Sequence, residues 1–231
     1  MQTLILNDRE VATILEDETL VMAGVQEAFG LAGRGEVQMP SKSYLTFPEF
    51  SGDLRTMPAY LPGLEAAGVK VVNSHSKNSK SGLPTVMAVI VLNDPMNGFP
   101  LAILSATSLT AHRTGAAGAL AAKYLAVPGS SRAGFIGAGA QSHHQFRFLK
   151  LVRPISSVRV YDVDKSRAQV LVERAKSSGV ADSRVVSTAR DAVDSDVVIT
   201  TTPGRGPVCD ATAFRPGVHV NAIGADAPGK Q

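Results

Sequence analysis

The fold turns on the stretch Ala133-Gly134-Phe135-Ile136-Gly137-Ala138-Gly139-Ala140-Gln141-Ser142. Residues up to Ile136 read as a buried strand, and a helical pattern begins directly after the glycines. Gly137 permits a tight turn, and Gly139 lets backbone amides close on a pyrophosphate; the third position wants a small residue for helix–strand packing. Ser142 occupies that third position, where glycine is usual. A lone glycine turn recurs in many α/β proteins, so its context decides its meaning. Asp162 lies twenty residues beyond Ser142 at the end of the next strand pattern, VRVYD, where a carboxylate would hold ribose hydroxyls. An acid there favours NAD over NADP, because a 2′-phosphate would meet its charge. Arg159 and Arg167, close by in sequence, weigh on the other side.

The same rhythm continues outward. QSHHQFRFLKLV and DKSRAQVLVERAKSSG read as helices, SRVVS as a strand, ARDAVDS as a short helix, and DVVITTT and GVHVNAIG as strands. Such alternation predicts a doubly wound parallel sheet. Before Pro128-Gly129 the pattern is different. The first thirty residues read as helix, with Val11, Ile14, Leu15, Val21, Val25 and Phe29 at helical spacing until Gly30, Gly33 and Gly35 break it. Short strands separated by Gly, Pro, Asn and Ser occupy 39 to 110, and the small-residue helix TAHRTGAAGALAAKYLA follows. We therefore expect an α/β protein of two domains: an α+β domain over 1–127 and a Rossmann dinucleotide-binding domain over 128–231.

Composition narrows the function. Hydrophobic residues make up 44% and charged residues 19% of the 231, as in ordinary globular proteins. The longest apolar run, 86–92, is far too short for a bilayer span, and the opening MQTLILNDRE lacks a signal-peptide pattern. One cysteine, Cys209, excludes an internal disulfide framework and fits a reducing cytoplasm. The net charge of +3 comes from scattered cations, and tryptophan is absent, so neither nucleic acid nor membrane is an expected partner. His75, His112, His143, His144 and His219 show no metal-ligand spacing, and Cys209 has no nucleophile signature.

Several charged residues have two open readings. Lys70, within GVKVV, is either on the solvent face of a half-buried strand or partly desolvated, with a lowered pKa suited to base chemistry. Arg113, read as lying at the start of the small-residue helix, opposes the macrodipole; either an ion pair or a bound anion would resolve this. Arg55, in LRTMP, taken alone reads as a surface strand residue. Asp226 follows the last strand, and is either a turn-forming residue or an acid at the carboxyl end of the sheet.

The ordered stretches QMPSKSYL, GDLRTMPAYL, GVKVVNSH, GLPTVMA, HRTGAAG, GFIGAGAQ, TTTPGRGPV and HVNAIGADAPGKQ resemble the ornithine cyclodeaminase/mu-crystallin family. The resemblance is greatest to its archaeal-type alanine dehydrogenase branch. It implies that Lys70 and Asp226 are catalytic and move protons, and that Arg55, Lys42 and Arg113 bind substrate. Lys42 stands where cyclodeaminases often have a carboxylate-binding arginine. The cofactor-binding set it implies is Thr85, Arg113, Thr114, Gly137, Gly139, Ala140, Gln141, Asp162, Thr201, Thr202 and Gly224. With NAD accepting hydride from the α-carbon of an amino acid, water attack on the imine gives a keto acid and ammonia. Intramolecular amine attack gives a ring instead, with NAD recycled. The resemblance thus implies an amino-acid dehydrogenase, alanine being the first substrate to test. Ornithine cyclodeaminase and a non-catalytic cofactor-binding protein are the other readings. The family also continues for roughly another quarter of its length, so the expectation is a truncated chain, and in the family a homodimer forms through the N-terminal sheet.

Overall fold

The computed structural model describes residues 2–202, 204 and 206–225. The chain divides into two compact units, the first ending at Arg113 and the second beginning at Thr114.

The first unit contains β1 (Leu4–Leu6), α1 (Asp8–Leu15), α2 (Glu18–Gly33), β2 (Ser43–Phe47), β3 (Gly52–Leu61), β4 (Ala66–His75), β5 (Val86–Asn93) and β6 (Pro100–Ser105). Its opening differs from the single helix expected over the first thirty residues. Asn7 caps α1 in a reciprocal box with Glu10, and a second cap, Asp17, accepts from the Leu20 amide to start α2. The helical spacing of the apolar residues runs on across Glu16 and Asp17, which hides the break. The strands form one six-stranded sheet, β1-β6-β5-β4-β3-β2, antiparallel apart from the β1–β6 pair.

Strand alternation gives the two faces of this sheet different chemistry. Register aligns Arg55 with Val72, and Met57 with Lys70 and Ile90, on one face. There Val72, Ala88 and Ala106 are buried, with Met57 and Ile90 packed against them. The opposite face exposes Ile5, Leu45, Met87, Val89, Leu101 and Ile103.

Helix α3 (Thr107–Leu125) contains the division between the units. The second unit continues with β7 (Arg132–Ile136), α4 (Ala140–Val152), β8 (Ser157–Tyr161), α5 (Lys165–Ser177), β9 (Asp182–Val185), α6 (Ala189–Val193), β10 (Val197–Thr200) and β11 (His219–Ala222). All its strands are parallel, in the order β11-β10-β7-β8-β9. This is the strand order of a doubly wound sheet, and it reverses between β7 and β10, where such folds place ligands. Phe135, Val158, Val160, Leu171 and Ile199 are fully buried in its core, and Phe135 meets Phe146 edge-on at 6.2 Å. Burying side chains of this size stabilises by about 1.5–3 kcal/mol each.

Candidate functional site

In the second unit the glycine turn has the geometry its residues require. Gly137 has φ +94°, and a Cβ there would lie 2.9 Å from Thr201 Oγ1, so both conformation and space call for glycine. Its carbonyl accepts from Thr201 Oγ1 at 3.0 Å, which ties the turn to the end of β10. A Cβ on Gly139 would meet nothing within 4 Å, and Gly139 caps α4 without a side chain. The first amides of α4 are thus open to an anion, which the helix dipole favours. Ser142 is fully buried, and its hydroxyl donates to Gly139 O at 2.6 Å. Serine is tolerated at the third glycine position because its polar atom is satisfied locally.

Asp162 closes the other side of the turn. Its Oδ2 accepts from the Ala138 amide at 2.6 Å and its Oδ1 from the Asp164 amide at 2.8 Å. Each oxygen retains acceptor capacity for a ribose hydroxyl, in an orientation fixed by backbone. The two nearby arginines are engaged elsewhere. Arg159 pairs with Asp182, with contacts of 3.2 and 3.1 Å, and Arg167 with Asp164 at 3.3 Å. Gly224, donating to Thr200 O at 3.1 Å, approaches Thr202 so closely that a Cβ would lie 2.4 Å from its carbonyl oxygen. Around these strand ends Gln141 Oε1, Thr200 Oγ1 and Thr202 Oγ1 are buried without a partner among the described residues. Open space over Gly139, uncapped amides and unsatisfied oxygens together fit a dinucleotide. Thr114 sits in α3, where its carbonyl accepts from Gln145 Nε2 at 2.8 Å.

The first unit gathers the expected cations. Lys42 lies 5.7 Å and Arg55 5.5 Å from the centre of the Tyr44 ring, whose negative face attracts both. Asp53 grips Arg55 through two bonds of 2.8 Å, one to Nε and one to Nη2, and fixes its guanidinium. Lys70 is half-buried on the same sheet face. Desolvation, then repulsion from Arg113, Lys42 and Arg55, lowers its pKa to about 8. Of its two readings the structure supports the desolvated one. Arg113 is not at a helix start, because α3 begins at Thr107, a full turn and more earlier. Its cost is therefore not dipolar; desolvation lowers its pKa. Thr85 precedes β5, is exposed, and accepts at its carbonyl from the His75 amide at 2.8 Å. Asp226 lies outside the described residues. Among them no group of three potential His, Cys, Asp or Glu metal ligands occurs.

Sequence reading missed Tyr44 and Asp53. Tyr44 sits near Arg55 only once β2 and β3 are in register, whereas the i, i+2 spacing of Asp53 and Arg55 on β3 already puts those two on one strand face.

One unit with a parallel dinucleotide-type sheet, and another whose sheet carries a desolvated lysine and a part-buried arginine, define a Rossmann-containing, two-unit protein. The model of the ornithine cyclodeaminase/mu-crystallin family matches residues 1–231, and this chain belongs to that family. The alanine dehydrogenase of Archaeoglobus fulgidus is 50% identical over 232 residues, covering 100% of this chain and 70% of that protein. Among solved structures, an archaeal alanine dehydrogenase dimer with bound NAD superposes with a TM-score of 0.94 at 48% identity, covering 100% of this chain and 70% of that one. The Δ1-pyrroline-2-carboxylate reductase of Thermococcus litoralis, in complex with NADH and L-proline, gives a TM-score of 0.87 at 37% identity over 94% of this chain and 68% of that one.

Proposed function

We propose that this protein is an NAD-dependent amino-acid dehydrogenase that reversibly converts a small L-amino acid, alanine first, to its keto acid and ammonia. The observation that carries this reading is Lys70: a half-buried amine with its pKa lowered to about 8, beside Arg55, Arg113 and Lys42. Similarity to the alanine dehydrogenase of Archaeoglobus fulgidus supports the choice of alanine.

The chemistry follows from the residues. Arg55, Arg113 and Lys42 offer a positive field to the substrate carboxylate, and Asp53 keeps Arg55 in place. NAD, when bound, supplies the acceptor for the hydride leaving the α-carbon. Lys70 in its neutral form removes a proton from the substrate ammonium, leaving the lone pair needed to form the imine. Asp226 would then take the proton released by the water that attacks the imine carbon and pass it to solvent, while the protonated Lys70 returns its proton to the departing amine. The products are keto acid, ammonium and reduced cofactor. For the cofactor, Gly137, Gly139, Ala140, Gln141, Thr201, Thr202 and Gly224 would hold the pyrophosphate region, with Thr85, Thr114 and Arg113 contributing. Asp162 would hold the ribose and select NAD over NADP.

We also place the protein in the cytoplasm as a homodimer, a reading supported by its single cysteine and its exposed apolar sheet face. No helix among the described residues is long and apolar enough to cross a membrane.

The test is nicotinamide absorbance. NADH is incubated with pyruvate plus ammonium, and NAD with ornithine in a parallel reaction assayed for proline. Net NADH loss that requires both pyruvate and ammonium is expected. Proline from ornithine without net change in NADH would replace the dehydrogenase with a cyclodeaminase.

A further inference from the structure

Within the second unit, a cleft of about 660 Å³ lies beside α6 and shares no lining residue with the glycine turn or Asp162. Arg132, Arg159 and Arg184 enter it from three adjacent strands. Register puts them on one sheet face: Arg132 is opposite Ser157, and Arg159 is opposite Arg184. Arg190 from α6 and Arg215 from the segment before β11 complete the ring. We infer that this five-arginine cleft is a binding site for a small phosphorylated anion, separate from the cofactor site.

Charge is the first argument. Like charges directly opposite each other on neighbouring strands are destabilising, and Arg159 and Arg184 are such a pair. Asp191 and Asp194 are the carboxylates that line the cleft. Asp191 is committed to the start of α6, where its Oδ2 accepts from Thr188 N at 3.0 Å and Thr188 Oγ1 at 2.8 Å. Asp194 is largely exposed and stays 3.9 Å from the Arg132 guanidinium. Asp182 and Asp196, which do not line the cleft, carry most of the pairing. Asp182 holds Arg159, and Asp196 holds both Arg132 and Arg215. Desolvation works to raise the Asp196 pKa. Hydrogen bonds from the Ser131 and Arg132 amides and from the Arg132 and Arg215 side chains prevail and hold it well below the usual carboxylate range.

Geometry is the second argument. Three guanidiniums are thus fixed by neighbouring carboxylates, whereas Arg184 and Arg190 are exposed and make no close ion pair among the described residues, the charge of Arg190 acting only at longer range on Asp210. Fixed arginines pre-position donors, and mobile ones can close over a ligand. Planar guanidinium forks match phosphate oxygens two at a time. A concave site of this volume falls in the size range of small-molecule sites, about 300–1,000 Å³, and argues for a compact ligand over a flat macromolecular surface.

Isothermal titration with inorganic pyrophosphate, at chloride-matched ionic strength and with and without saturating NADH, tests the assignment. With NADH occupying the glycine turn, saturable one-site binding of pyrophosphate is expected. In the double variant Arg184→Ala/Arg190→Ala the affinity should fall by at least about tenfold, since each lost charged hydrogen bond is worth that order. NADH affinity and the thermal transition should stay unchanged in that variant. Equal pyrophosphate affinity in variant and wild type would overturn the proposal, as would heats no larger than those of chloride. So would a variant that binds pyrophosphate normally but changes oligomeric mass, because the arginines would then serve a protein interface.

Discussion

At the scale of single residues, Lys70 sets the expected pH behaviour. Deamination needs its neutral amine, so kcat/KM should climb with pH and level off above about 8. Lys70→Met should lower kcat by about 10²–10⁴ and abolish that rising limb. Lys42→Met removes one of the charges that depress the Lys70 pKa, so the limb should move to higher pH while remaining present; a limb that stays put would separate Lys42 from Lys70. The same shift has a consequence for stability. The folded-state pKa lies below the ordinary value of 10.5, so the unfolded chain binds more protons between about 8 and 10.5. Lys70 therefore penalises the fold fully below that window, and the penalty is relieved as pH rises through it. Asp162 gives a second test. Asparagine there would turn an N–H toward one of the two amides, of Ala138 and Asp164, from which the carboxylate now accepts, at a cost of about 1–3 kcal/mol. Asp162→Asn should weaken NADH binding and raise the NADP-to-NAD ratio of kcat/KM by about tenfold, read by steady-state kinetics with each cofactor.

At the scale of elements, the two glycines of the β7–α4 turn should respond differently to the same change. Gly137→Ala forces a side chain into positive φ and against Thr201, and should cost about 1–3 kcal/mol, seen as a lower melting temperature. Gly139→Ala adds a methyl group to open space, so the melting temperature should hold while NADH affinity falls, since that space is where the pyrophosphate would approach. Equal loss of stability in both would contradict the cradle. This turn is legible in the sequence because strand, glycines, helix and acid follow one another locally. So are β2 to β11, whose apolar runs end in Gly, Pro, Asn, Asp, Ser and Thr. The break between α1 and α2 escapes a reading by periodicity, which continues through it, although Asn7 with Glu10, and Asp17, carry its caps. The start of α3 is just as well hidden, because Thr107 and Ser108 follow directly on a strand and read as its end. The face shared by Arg55 and Lys70 depends on register across β3 and β4, and the arginine cleft on register across β7, β8 and β9. Neither follows from any single segment's pattern.

At the scale of the whole molecule, the exposed face of the six-stranded sheet presents the remaining physical problem. Register lines up Ile5, Ile103 and Val91 across three neighbouring strands, and Leu45, Met87, Val89 and Leu101 are exposed on the same side. A row of this kind differs from scattered surface apolar residues, because contiguous patches mark surfaces that other molecules cover. Burial of a side chain such as isoleucine contributes about 1.5–3 kcal/mol, so several together outweigh the cost of association if a second copy supplies the cover. A two-fold pairing would set the face against itself, each patch being complementary to its own copy. Sedimentation or light scattering of the protein should then give the mass of a dimer. Ile103→Glu, which puts a charge between Ile5 and Val91, should shift it to monomer by burying an unpaired carboxylate at the contact. NADH affinity should be unchanged in that variant, since Ile103 lies on the sheet face opposite to Lys70 and is none of the residues assigned to the cofactor. A dimer that survives Ile103→Glu would move the interface off this sheet.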